Sequence, residues 1–141
     1  MMQIIKYYKI ALLPSSLITI SIEIVWGIID YDPNYKSEWL TPGVAIIWSI
    51  VLVIINALII STLSLTIFLN DCKNVRYRLF LSLITWFLAP MIWIGYFLHR
   101  AFLLIIERSS GDWDFLLLNT IPYLIGLVWG FAKFRLDMKK V

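Results

Sequence analysis

Residues 42–69 read PGVAIIWSIVLVIINALIISTLSLTIFL, with no charged side chain anywhere in the run. A helix needs roughly 20 apolar residues to cross the hydrocarbon of a bilayer, and this stretch is longer than that. It is too long for a buried strand, and it is hydrophobic all round rather than on one face. That pattern predicts a helix immersed in lipid. Pro42 suits its first turn, where a missing amide hydrogen has no consequence.

Three further apolar runs flank it, giving expected spans at 10–29, 42–69, 79–106 and 115–134. The connectors at 30–41 and 107–114 hold the turn signals Asp32-Pro33-Asn34 and Ser109-Ser110-Gly111, and 70–78 form a tight basic loop. In the first span Pro14 is expected within the first turn or so. Glu23 interrupts that run and no small-x-small cleavage site precedes Asp30, so it reads as a retained helix rather than a secretion signal. Four spans and their connectors occupy all 141 residues, of which 61% are hydrophobic and 15% charged. The expectation is an all-α membrane protein, one transmembrane domain over 1–141. It is a bundle of four transmembrane helices with short loops, and no room remains for a soluble catalytic domain.

Basic residues mark the faces. Lys6, Lys9, Lys73, Arg76, Arg78, Lys133, Arg135, Lys139 and Lys140 fall on one side, nine of the chain's 12. The other side holds Lys36 and Arg108, with Arg100 nearby. Excess Lys and Arg stays cytoplasmic, so both termini are expected inside, N-in/C-in, in a bacterial inner (plasma) membrane. The same placement makes the net charge of +3 a topology signal and excludes nucleic acid as a partner. Tyr7, Tyr8 and Tyr77 near the inner boundary, and Trp26, Tyr31, Tyr35, Trp39 and Trp113 near the outer one, suit the headgroup zone.

Ionisable and amide side chains inside a span carry the functional candidates, because hydrocarbon penalises them. Glu23 leads. With Ser16, Thr19, Trp26 and Asp30 it makes a stripe at alternating three- and four-residue spacing, expected to face the bundle. Asn119, Tyr123, Gly126, Gly130 and Lys133 repeat that spacing in the fourth span. Gly126 and Gly130 form a GxxxG pair suited to close helix packing, within the chain or between copies. In the third span His99 and Arg100 match Glu23 in depth, so an ion pair between Glu23 and Arg100 is one expectation. The other is that the span ends near His99 and Arg100 snorkels to the headgroups. Asn56, mid-span, is expected to bond across to another helix. Pro90 removes one helical hydrogen bond and is the hinge candidate.

The chemistry of catalysis is thin. One histidine and one cysteine, Cys72, provide no metal set, and no phosphate loop or nucleophile elbow is present. Ser49 or Ser82 with His99 would be the only hydrolytic pairing, and no spacing supports it. The chain therefore reads as a non-enzymatic membrane protein without a cofactor, acting through helix–helix contacts. It would be a subunit, an immunity or defence component, or an assembly partner, bound to a membrane protein or to copies of itself. The alternative is an oligomeric transporter or pore using Glu23. In being short, four-helical and marked by a first-helix glutamate, the chain is similar to small multidrug resistance transporters. It departs from them in length, in charge bias and in the residues around Glu23, and it is not assigned to that family.

Overall fold

The computed structural model describes residues 2–29, 42–106 and 113–138. Their regular elements are helical throughout. In order they are α1 (Met2–Ile29), α2 (Pro42–Leu63), a 3-10 helix (Ser64–Asp71), α3 (Lys73–Arg76), α4 (Leu79–Ile106), α5 (Trp113–Leu118) and α6 (Ile121–Met138). Four segments are long and apolar enough to cross a membrane: Ile4–Ile29, Ile46–Asp71, Leu79–Ile106 and Phe115–Met138. By length and composition this is a multi-pass membrane protein. The turns expected at Asp32-Pro33-Asn34 and Ser109-Ser110-Gly111 lie outside the described residues. So do Asp30, Tyr31, Tyr35, Lys36, Trp39, Arg108, Lys139 and Lys140.

Polarity is distributed as a lipid solvent demands. Ile92, Phe80 and Trp129 stand largely exposed, while Ser15, Thr19, Asn56, Asn70, Ser82 and Asn119 are buried. Apolar side chains lose nothing in hydrocarbon, whereas polar groups must find partners inside the protein. α1 packs mainly along α6 and also on α2. α4 packs on the 3-10 helix, on α5, and on α2 and α6. The spans thus run round the bundle in chain order, with α1 and α4 at opposite corners. The apolar core is heaviest where the two chain ends meet, with Ile4, Tyr7, Ala11, Ile60, Trp86, Leu127 and Phe134 all buried. The Trp86 ring meets Phe131 edge-on at 5.6 Å, and Phe134 does the same to Tyr7 at 5.5 Å.

The helices depart from the sequence expectations in four places. α1 begins at Met2 rather than near residue 10. Lys6 and Lys9 ride its exposed face while Ile4 and Tyr7 bury the other, so the lysines extend the helix instead of bounding it. Pro14 consequently lies in the helix interior, not in its first turn. The second span tightens after Leu63 into a 3-10 helix reaching Asp71, and such geometry rarely runs this long. The fourth crossing is two helices, α5 and α6, parted at Asn119 and Thr120. Pro122 has no N–H to give to the carbonyl four residues back, which accounts for the break.

Candidate functional site

The seam between α1 and α6 rests on small residues from both sides. A Cβ added to Gly126 would collide with Ser15 Oγ and the Ala11 carbonyl. One added to Gly130 would stand 2.8 Å from Ala11 Cβ and 3.1 Å from Trp86 Cζ3. The GxxxG pair is therefore occupied within the chain, against an Ala11-xxx-Ser15 ridge. Ser15 Oγ shares its proton between the Ala11 carbonyl at 2.9 Å and the Pro122 carbonyl of α6 at 2.8 Å. Thr19 Oγ1 donates to the Ser15 carbonyl, and the Tyr123 hydroxyl donates to Ser16 Oγ at 3.2 Å.

The buried face of α1 runs Ala11, Ser15, Thr19 and Glu23, a straight four-residue repeat. This corrects the stripe read from sequence. Ser16 is only half-buried and Trp26 is 49% exposed, so Trp26 faces outward from the bundle. Lys133 of the second stripe is likewise exposed. The straight repeat wins because a helix crossing close on glycines keeps one row of side chains at the contact.

A polar node joins three crossings at the break in the fourth. Asn56 of α2 donates from Nδ2 to the Asn119 carbonyl at 2.9 Å and accepts at Oδ1 from the Trp93 indole of α4 at 2.8 Å. Asn119 Nδ2 and Thr120 Oγ1 turn back to the carbonyls of Phe115 and Leu116, tying off the end of α5. Asn119 Oδ1 is buried without a partner among the described residues.

A second node lies toward the chain ends, and sequence reading missed it by treating Asn70 as the start of a loop. Asn70, fully buried, donates to Thr85 Oγ1 and accepts from Ser82 Oγ, both at 2.7 Å. Thr66 Oγ1 reaches the Thr85 carbonyl at 2.7 Å. Arg76 donates from Nε to the Asn70 carbonyl and lies 3.5 Å from the Asp71 carboxylate. Arg135 of α6 reaches the Arg76 carbonyl, and the Tyr7 hydroxyl donates to Asp137 at 2.7 Å. Thr66, Ser82 and Thr85, set inside the apolar runs on either side of Asn70, were the available signal.

Glu23 is 8% exposed, one turn beyond Thr19. His99 and Arg100 are exposed on α4, the helix diagonal to α1, so the three do not share a face. α4 does continue to Ile106, and it passes through a buried Pro90 without interruption. Ser82 is committed to Asn70, and His99 lies 17 residues along the same helix, about 25 Å away. They cannot form a dyad. Among the described residues no three His, Cys, Asp or Glu side chains gather to hold a metal.

No protein-family model, curated protein or solved structure matches this chain. The site therefore speaks through its geometry alone. Between the two polar nodes, Ile60, Trp86 and Leu127 are fully buried and belong to one apolar cluster. Each node holds helices in register, and the layer between them separates one from the other.

Proposed function

We propose that this protein is a non-enzymatic membrane component that acts through its helix faces, as a subunit, an immunity or defence component, or an assembly partner. The observation that carries the reading is the packed interior: Ile60, Trp86 and Leu127 are fully buried in one apolar cluster. The small-residue seam and both polar nodes are spent inside one chain, which leaves the lipid-facing surface for recognition. That surface includes an apolar groove of about 430 Å³ along α4, lined by Leu83, Phe87, Met91 and their neighbours. The test is purification in mild detergent followed by reconstitution. A defined membrane-protein partner, or a discrete homo-oligomer, supports the reading. A purified single species that carries protons or ions across liposomes defeats it.

Orientation belongs to the same proposal, with both termini cytoplasmic in a bacterial inner membrane. Cys72 is exposed in the loop between the second and third crossings and serves as a natural reporter. An impermeant maleimide should label it only after the cells are opened. Labelling of intact cells would place this loop outside.

A second reading, a transporter or oligomeric pore using Glu23, draws on the burial of that carboxyl inside a span. Glu23 faces its own bundle, so a pore shared between copies would need α1 to rotate. Glu23→Gln separates the two: it abolishes coupled flux in a transporter and leaves partner binding intact in a subunit.

A further inference from the structure

α4 has 28 residues and is about 42 Å long, while the hydrocarbon core of a bilayer is about 30 Å thick. His99 and Arg100 stand about 10 and 11 Å from the middle of the helix. With α4 centred in the bilayer, both fall inside the hydrocarbon, and the apolar residues 101–106 follow them. Ionisable side chains at such depth are rare unless they are paired or face protein. Both are exposed here, and neither makes a hydrogen bond or ion pair among the described residues.

The same face carries a seam. Leu88, Ile92, Gly95, His99, Phe102 and Ile106 recur at four, three, four, three and four residues, the spacing of helix–helix contacts. The four large apolar members are all exposed. A Cβ added to Gly95 would meet nothing within 4 Å, so another backbone can approach there. The groove of about 430 Å³ counts Leu88 and Ile92 among its walls and continues the seam toward the start of α4. Contact with lipid chains needs neither the glycine nor the spacing, and it leaves both nitrogen-bearing side chains without an acceptor.

We infer that this face of α4 binds a transmembrane helix of a partner protein that carries an aspartate or glutamate level with His99 and Arg100. The carboxylate accepts from the Arg100 guanidinium, with the His99 imidazole as a second donor. Apolar side chains of the partner helix fill the groove. The inference rests on the subunit reading and adds the chemistry of the partner. A second copy docked through the same face would bring Arg100 against Arg100, and Glu23 is held on the buried face of α1. Headgroup phosphates reached by snorkelling are the competing acceptor.

The probe is a leucine-based transmembrane peptide with one glutamate about 10 Å from its midpoint, set against peptides with glutamine or leucine there. Full-length protein labelled at Cys72, its one cysteine, reports binding by energy transfer in phosphatidylcholine liposomes. The glutamate peptide should bind about tenfold more tightly than either control. Arg100→Gln should remove that preference, and Gly95→Leu should weaken all three peptides by closing the approach. Both positions have room for the change, so each variant should melt with the parent. Equal binding of the three peptides, a preference that survives Arg100→Gln, or binding untouched by Gly95→Leu overturns the assignment. Loss of the preference when phosphatidylglycerol is added overturns it too, by giving the cations to headgroup phosphates. Proton or ion flux through the same liposomes would instead defeat the subunit reading itself, so the two failures are distinct.

Discussion

The two sides of the bundle are held by different physics. Along α1 and α6, Gly126 and Gly130 let the backbones meet Ala11 and Ser15 with almost nothing between them. Along the 3-10 helix and α4, the partners touch through side-chain hydrogen bonds from Thr66, Asn70, Ser82 and Thr85. In lipid no hydrophobic force separates helix contact from helix–lipid contact, so packing and hydrogen bonds must do the work. The seam uses the first and the asparagine node the second. Their sensitivities should therefore differ: the seam to volume, the node to chemistry.

Added volume in the seam has the largest expected effect. Gly126→Val puts atoms where Ser15 Oγ and the Ala11 carbonyl already are. That overpacking should cost about 3 kcal/mol or more, enough to lose the folded bundle in detergent titrations. Gly130→Ala is milder, about 1–3 kcal/mol, because its first neighbours are the side chains of Ala11 and Trp86. Ala11→Gly should restore part of that loss in the double variant. If Gly130→Ala is neutral and needs no rescue, the seam is looser than the geometry states.

Next comes the node. Asn70→Leu keeps volume but removes the partner of Ser82 and of Thr85 on α4. Interhelical hydrogen bonds in membranes average about 0.6 kcal/mol with a ceiling near 1.7, so losing two predicts about 1–3 kcal/mol. Asn70→Asp, which keeps an acceptor for Ser82, should not recover it, since Thr85 needs the amide donor. Asn56→Leu in the node at the break of the fourth crossing removes bonds to Trp93 and Asn119 and should cost about 1–2 kcal/mol by the same reckoning. The Trp93 indole then loses its acceptor, and its fluorescence should shift. An Asn56→Leu protein as stable as the parent, with an unshifted spectrum, would remove the Asn56 node from the account.

The seam was more legible in the sequence than the node, for a physical reason. Four apolar runs and a GxxxG pair are local patterns, and bilayer thickness turns the first into crossings. Asn70 has no local signature of burial. It sits beside Asp71, Lys73 and Arg76, and only the approach of α4 brings Ser82 and Thr85 to it. Pro122 was a readable breaker in the fourth run, yet its result depends on Asn56 arriving from α2 to meet the Asn119 carbonyl. Glu23 and Thr19 fall on the buried face as their spacing suggested. Trp26 does not, because the phase of a polar stripe is set by the neighbour it meets.

That phase provides the smallest and sharpest comparison. Ser15 and Ser16 are adjacent, chemically identical and both hydrogen-bonded to α6. Spacing alone favoured Ser16. The structure buries Ser15 to 2% and gives its hydroxyl the Pro122 carbonyl at 2.8 Å, while Ser16 is half-buried and accepts a longer bond from Tyr123. Replacing either with alanine keeps the Cβ, so neither change disturbs the steric fit. Ser15→Ala removes the donor to a carbonyl beside the break in the fourth crossing and should cost about 0.5–1.5 kcal/mol. Ser16→Ala removes a weaker acceptor near the rim of the seam and should fall within about 0.5 kcal/mol of the parent. Chemical unfolding of the two variants side by side measures the rotation of α1 directly. The reverse order of costs would turn α1 by about 100°, one residue's step around the helix, and return Trp26 toward the bundle.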